Sequence, residues 1–279
     1  LIVEDLVSKD GKLHPVQDAI VRFHGSQCGF CTPGFVMSLF AMYKNFSLYK
    51  DQIIKDSIQG NLCRCTGYRP IVNAAKSLNN VNKIDFFAKD KKNTLKLLKK
   101  IRKRSIKITN SNKKYFAPKS ISELNKILKS EPNSKLISGG TDVSLIVTKE
   151  RKDLNSLVYL NSIDELNYIK EHNGFIEVGA STPLIKFESF IGKYFPDFSE
   201  ILKRYGSVQI RNVCTIAGNI ATASPIGDTL PLLLTLDGQI VVKGKNKTQV
   251  LPLNGFFRNY RKTKLKKGQF IHSIRIPFL

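Results

Sequence analysis

The sequence predicts a multi-domain chain, an all-α four-helix bundle followed by an α+β domain. Three observations predict it. Four helix-like segments and the cysteines Cys28, Cys31, Cys63 and Cys65 crowd into the N-terminal part. A run of lysines and arginines from about Lys89 to Lys114 then interrupts the pattern. Beyond Tyr115, strand-like apolar stretches alternate with helical ones. At 279 residues and 42% hydrophobic content, there is material for two cores. The expected division is a helical domain over 1–82, a basic linker over 83–113 and an α+β domain over 114–279.

The bundle is justified helix by helix. Pro15 starts the first, because its missing N–H costs nothing at a helix start. Val16, Ala19, Ile20 and Phe23 then fall on one face. Pro33 starts the second, which is apolar almost all round from Phe35 to Met42 and therefore central. A third helix is expected near Tyr49–Ile58, ending at Gly60 as a left-handed stop. The fourth begins at Pro70 and carries Ile71, Ala74, Ala75 and Leu78 on one face. The basic stretch that follows contains a single acid, Asp90, and reads as a solvated linker with a short helix near Leu95–Ile101.

In the second domain Ser120-Ile-Ser-Glu123 has the form of a capping box. Strands are expected at Lys135–Ser138, Leu157–Leu160, Phe175–Val178, Gln239–Val242 and Phe270–Ile276. Helices are expected near Pro183–Ile191, Asp197–Arg204 and Asp228–Leu236.

Charge and apolar patterning narrow the function. The net charge is +23, from 45 Lys+Arg against 22 Asp+Glu. The lysines are dispersed, tryptophan is absent and no nucleic-acid-binding motif is present, so the charge reads as a chain-wide bias. No apolar run is long enough to span a membrane, and a cytoplasmic location is expected. His14, His24, His172 and His272 are scattered and read as surface or cap residues. Cys214 reads as a small buried apolar side chain. No catalytic acid or base is assigned.

The cysteines carry the chemistry. Cys28-x-x-Cys31 and Cys63-x-Cys65 each precede a proline-started helix, where free N–H groups and the helix dipole favour thiolate. Four thiolates converging from two helix starts make a metal or iron–sulfur site. Structural zinc also takes paired cysteines and stays open as an alternative, although a one-residue spacing is tight for it. A disulfide framework is disfavoured without a visible secretory segment.

A second constellation lies in the α+β domain. Ser138-Gly139-Gly140-Thr141-Asp142 follows a strand and offers consecutive backbone donors with no Cβ in the way. Thr215, Gly218, Asn219, Thr222, Ser224, Gly227 and Asp228 form a second small, hydroxyl-rich segment. Neither loop carries a P-loop lysine or a GxGxxG run, which suits a dinucleotide held mainly by backbone donors.

Gln27-Cys-Gly-Phe-Cys-Thr-Pro-Gly34 and Gly60-Asn-Leu-Cys-Arg-Cys-Thr-Gly-Tyr-Arg-Pro70 resemble the helical [2Fe–2S] domain of the molybdenum hydroxylases. The second domain resembles the FAD-binding domain of the same enzymes. The order of the two, with Ser224-Pro-Ile-Gly-Asp228, is most similar to the small subunits of the bacterial xanthine dehydrogenase branch. The resemblance implies that Cys28, Cys31, Cys63 and Cys65 hold the cluster. It further implies that Leu136, Ile137, Ser138, Gly139, Gly140, Thr141 and Asp142 wrap the FAD diphosphate. Thr215 and Asn219 match further phosphate contacts, Asp228 a polar FAD contact, Tyr205 an aromatic position near the adenine and Ile271 an apolar position near the flavin.

Gly140 stands where some relatives have asparagine, and Asp142 where some have glutamate. Family members also carry a ferredoxin domain ahead of the helical one and a C-terminal flavoprotein domain, so the resemblance implies a fragment truncated at both ends. It implies a partner, a large subunit carrying the molybdenum cofactor, and NAD or oxygen as the electron acceptor in a hetero-oligomer. A relative acting on an aldehyde or another heterocycle is the alternative, and a zinc-stabilised binding module is the rival from outside the family.

Overall fold

The computed structural model describes residues 1–80, 85–244 and 247–278. The chain forms two compact units, Leu1–Lys99 and Lys100–Leu279. The expected boundary between residues 82 and 83 lies outside the described residues.

The first unit is built from α1 (Pro15–Arg22), α2 (Thr32–Asn45), α3 (Asp51–Ile58) and α4 (Arg69–Ser77), and α5 (Phe86–Arg102) begins within it. Each of the apolar faces predicted for the bundle turns inward. Val16, Ala19 and Ile20 of α1 meet Phe35, Val36, Leu39 and Phe40 of α2, with Ile54, Ile58, Ile71, Ala74, Ala75 and Leu78 completing the core. Burying a side chain of this size contributes roughly 1.5–3 kcal/mol.

α1 is capped by His14, whose Nδ1 accepts the Val16 N–H at 3.2 Å. His14 is a cap as expected, but a buried one. Its Nε2 lies 3.1 Å from Asp85, which also takes the Lys44 ammonium at 2.8 and 2.9 Å. Gly60 is not the left-handed stop expected of it. α3 ends instead on Gln59, whose N–H returns to the Lys55 carbonyl, and the Asn61 N–H reaches Ile58.

The basic stretch also differs from expectation. Its helix is α5, 17 residues long, and its first turn is anchored in the first unit. Asp85 accepts the Ala88 N–H at 3.0 Å, and Phe87 packs on the core beside Phe40. A salt-linked cap and a pair of phenylalanines thus extend a helix that its lysines alone would not secure.

The second unit contains two sheets and a hairpin. β1 (Ile106–Asn110) pairs antiparallel with β2 (Lys113–Ala117). After α6 (Ile121–Ser130) come β3 (Lys135–Ile137), α7 (Val143–Thr148) and β4 (Ser156–Tyr159). β4 runs parallel to both β2 and β3, giving the order β1-β2-β4-β3. The capping box at α6 is half formed. The Ser120 hydroxyl accepts the Glu123 N–H, but the Glu123 carboxylate takes the Lys119 N–H at 2.8 Å and the Ser105 hydroxyl at 2.7 Å.

The larger sheet is antiparallel. β5 (Ile169–His172) and β6 (Phe175–Gly179) precede α8 (Leu184–Ile191), α9 (Pro196–Lys203), α10 (Val208–Arg211), α11 (Ile216–Thr222) and α12 (Thr229–Thr235). β7 (Gln239–Gly244), β8 (Lys247–Pro252), the hairpin β9 (Phe257–Asn259) and β10 (Lys262–Thr263), and β11 (Phe270–Pro277) follow. The order is β5-β6-β11-β7-β8, with a register shift in β11 between Ile271 and Ser273. Its inner face joins α8, α9, α11 and α12 in the main core, around Phe187, Phe198, Ile220, Leu233, Ile240 and Phe256.

Candidate cofactor sites

The first site is assembled where α2 and α4 begin. Cys31 immediately precedes α2, and Gly29 turns the chain at φ +83° between the two cysteines of its pair. Gly34, one turn into α2, is needed for close approach. A Cβ there would sit 2.6 Å from Oδ1 of Asn61. Asn61 fills that space and donates to the Ser38 hydroxyl at 2.8 Å, which draws the Cys63 segment onto α2. Tyr68, at φ +66°, sets the entry into α4, accepts the Cys63 N–H on its hydroxyl oxygen at 3.0 Å and touches Phe35 edge-on.

These ties bring the four thiols together two by two, across the helices. Cys28 and Cys65 perturb one another's thiols, as do Cys31 and Cys63, so each couple draws one cysteine from either ligand segment. All five cysteines of the chain are free thiols. The Phe30 N–H and then Cys65 pull the Cys28 thiol down, while Cys65 is raised as its partner. The Thr66 hydroxyl, 3.1 Å from the sulfur, and the Thr66 N–H bring Cys63 down to about 7. Burial, then the neighbouring Cys63, raises Cys31. One thiol of each pair is thus held down, but by groups within the ligand segments, whereas Cys31 at the start of α2 is raised; the helix starts do not account for the shifts.

Four cysteine thiols are the donor set of a [2Fe–2S] cluster and of a structural zinc ion alike. Among the described residues no three metal-ligating side chains gather around one point.

The second site draws on four segments of the second unit. β3 delivers Leu136 and Ile137 to the loop Ser138–Asp142, where the Ser138 hydroxyl donates to Asn161. Gly139 is packed so closely that a Cβ would lie 2.0 Å from the Val213 carbonyl, which joins this loop to the segment leading into α11. Gly140 then adopts φ +71°, a conformation that side chains rarely allow. Cys214 is buried as expected, and its sulfur contacts Tyr205 Oη at 3.8 Å and Thr141.

The structure gives several expected contacts a prior role. Thr215 is buried, and its hydroxyl caps α11 by accepting the Gly218 N–H at 3.0 Å. Asn219 donates to Tyr205 Oη at 3.0 Å and accepts the Thr229 hydroxyl at 2.6 Å. Burial first, then Cys214, Asp228 and Asp142, push the Tyr205 phenol well above its ordinary value, so this hydroxyl stays protonated. Asp228 is exposed at the start of α12. Ile271 is buried in the main core with Ile216 and Ala217. The loops, Tyr205, Asn219 and Asp228 therefore gather, whereas Ile271 lies in the packing of β11.

Sequence reasoning missed Asn61, Tyr68, Thr229 and Arg261. Arg261 lies in the turn between β9 and β10, and its guanidinium holds both Asp142 oxygens at 3.2 Å. Glycine in the cysteine motif was a signal for Asn61. Nothing separates Arg261 from the basic residues around it.

Comparison with known proteins identifies both domains. Residues 106–279 match the family described as FAD binding domain in molybdopterin dehydrogenase, and residues 2–76 match the [2Fe-2S] binding domain family. The chain is 31% identical to xanthine dehydrogenase of Emericella nidulans, over 95% of this chain and 23% of that protein. It is 29% identical to xanthine dehydrogenase of Oryza sativa subsp. japonica, over 100% of this chain and 25% of that protein. The chain thus spans about a quarter of the length of these curated relatives. Among solved structures, carbon monoxide dehydrogenase of Hydrogenophaga pseudoflava aligns with a TM-score of 0.57 and 27% identity, over 62% of this chain and 61% of that one. Quinoline 2-oxidoreductase of Pseudomonas putida 86 shares the fold, at 23% identity and a TM-score of 0.56, over 59% of each chain. Among the described residues no helix is long and apolar enough to cross a membrane.

Proposed function

The chain belongs to the molybdopterin dehydrogenase family, as a [2Fe–2S] domain followed by an FAD-binding domain, and we propose that it is the electron-transfer part of a xanthine dehydrogenase-like molybdenum hydroxylase. In this reading electrons leave a purine at a molybdenum cofactor on a large partner subunit, and NAD or oxygen is the final acceptor. When bound, the cluster and the flavin supply the redox chemistry, and the protein supplies placement and tuning. The observations that carry the reading are the placement of Cys28, Cys31, Cys63 and Cys65 just ahead of α2 and α4 and the match of residues 2–76 to the [2Fe-2S] binding domain family.

The residues have distinct tasks under this proposal. Cys28, Cys31, Cys63 and Cys65 hold the irons, and Asn61 and Tyr68 fix the distance between the two ligand segments. Thr66 donates to the Cys63 sulfur and stabilises its negative charge. In the second unit the backbone of Ser138–Asp142 faces the FAD diphosphate, with Gly139 and Gly140 keeping Cβ atoms out of the way. Tyr205, Asn219 and Asp228 lie towards the rest of the dinucleotide. Thr215 acts by capping α11, so it shapes the loop around a ligand. Free thiols throughout suit the reducing cytoplasm.

The test is reconstitution with the molybdopterin-binding protein of a neighbouring reading frame. Xanthine-dependent reduction of NAD or oxygen supports the proposal. Turnover of an aldehyde or another heterocycle without xanthine would move the chain to another branch of the family. Stoichiometric zinc in a colourless protein would replace the proposal with a metal-stabilised binding module.

A further inference from the structure

The loop read as a diphosphate cradle ends in a carboxylate, which a phosphate ligand should not tolerate. Asp142 directly follows Gly139-Gly140-Thr141, and its charge, like that of Asp228, reaches Tyr205. An anionic ligand arriving here meets like charge unless the acid is answered. Arg261 answers it, from 119 positions away, with a two-oxygen contact at 3.2 Å.

The arginine is held at a cost. The turn Tyr260–Arg261 joins β9 to β10, with Lys262 opposite Asn259. Arg261 occupies the left-handed region at φ +51°, where a residue with a long side chain is disfavoured. The base of the hairpin is fixed by the Lys264 N–H on the Phe256 carbonyl, and Phe256 is buried in the core. The side chains of Arg261 and Asp142 are 43% and 36% exposed, and a pair so exposed contributes little to stability. Stability therefore does not account for a strained turn aimed at this carboxylate. Strain of this kind persists where a site needs it.

We infer that Arg261 is a positioning residue for FAD, neutralising Asp142 and pinning the β9–β10 hairpin to the phosphate loop so that the loop accepts a diphosphate. The inference rests on reading Ser138–Asp142 as the FAD cradle. It assigns the guanidinium to the protein carboxylate and not to the ligand, and that choice can be tested.

The test measures FAD binding to the flavin-free full chain by quenching of flavin fluorescence. Arg261→Gln leaves Asp142 unanswered and weakens binding about tenfold, the range that hydrogen bonds to charged groups carry. Asp142→Asn leaves the Arg261 charge un-neutralised beside the loop and tightens binding of the anionic diphosphate about threefold. Adding Asp142→Asn to Arg261→Gln recovers most of the loss, a rescue that a merely structural role for Arg261 would not show. Arg261→Lys keeps the charge and stays within about threefold of the parent, which covers the case of an Arg261→Gln chain that folds poorly. A double variant as weak as Arg261→Gln would overturn the inference in favour of direct phosphate contact. Parent-like binding by Arg261→Gln would overturn it outright. A parent chain that binds no FAD would instead remove the reading on which it rests.

Discussion

The two cofactor sites are built on opposite plans. In the first unit the ligands come from two short segments, Cys28–Cys31 and Cys63–Cys65, and the thiols meet one another. In the second, four segments between Ser138 and Arg261 converge, and most of their polar side chains are already spent on the protein itself. Thr215 caps α11, Asn219 bridges Tyr205 and Thr229, and Asp142 pairs with Arg261. On the proposed reading, one site binds with side chains, and the other uses side chains as scaffold and leaves the backbone to bind.

Two substitutions separate the plans most sharply. Cys63→Ser removes a sulfur ligand, and the expected result is loss of iron and sulfide with FAD content retained. Gly139→Ala does the reverse, because its Cβ would lie 2.0 Å from the Val213 carbonyl and drive the two loops apart. The expected cost is about 1–3 kcal/mol of overpacking, with loss of FAD and a retained cluster. Metal and flavin analysis of both variants checks the pair. Loss of both cofactors in either variant would break the comparison.

The same contrast explains what the sequence could reveal. The cysteine site was legible because spacing alone brings each pair to a helix start, and Pro33 and Pro70 mark those starts. The bundle faces were legible because one helical repeat decides which residues turn inward. α5 was underestimated, since its anchor is a long-range cluster of Asp85, His14 and Lys44 that no local pattern displays. In the second unit the glycine loop was visible, but its partner across the gap was not, because a contact between Gly139 and Val213 depends on tertiary packing. Strands β5 and β8 are largely exposed and give little apolar alternation to read, and β1, although Ile106 and Ile108 alternate with polar residues, lies exposed inside the basic stretch. The assignment of Thr215 to a ligand failed to foresee its capping role, although Thr215 stands three residues before Gly218, the spacing of an N-cap.

Acid should loosen the first unit through His14. Burial holds its imidazole below the ordinary value of 6.5, against the pull of Asp85. The unfolded chain therefore binds the proton first, and stability is lost as pH falls below about 6.5 until the folded value is passed. Although burial opposes it, hydrogen bonds from Lys44 and His14 hold Asp85 below 3.8, so a further loss follows at lower pH. Calorimetry from about pH 7 downward should show the midpoint of this unit falling, and His14→Gln should flatten the upper part of that slope.

The smallest effects are expected at the edge of the cluster. Thr66→Val removes a hydroxyl that lies 3.1 Å from the Cys63 sulfur and should lower the reduction potential. Arg64 and Arg69 are exposed, so solvent screens them, and Arg64→Gln or Arg69→Gln should lower it by less. A redox titration of the three variants orders these contributions. An unchanged potential in both arginine variants would confine tuning to direct hydrogen bonds.

Composition of the anaerobically purified full-length chain bears most directly on the two-plan architecture. Iron and acid-labile sulfide in equal amounts, together with releasable FAD in the same coloured sample, are the predicted result. A folded, colourless protein holding zinc, or holding neither iron nor flavin, would contradict it.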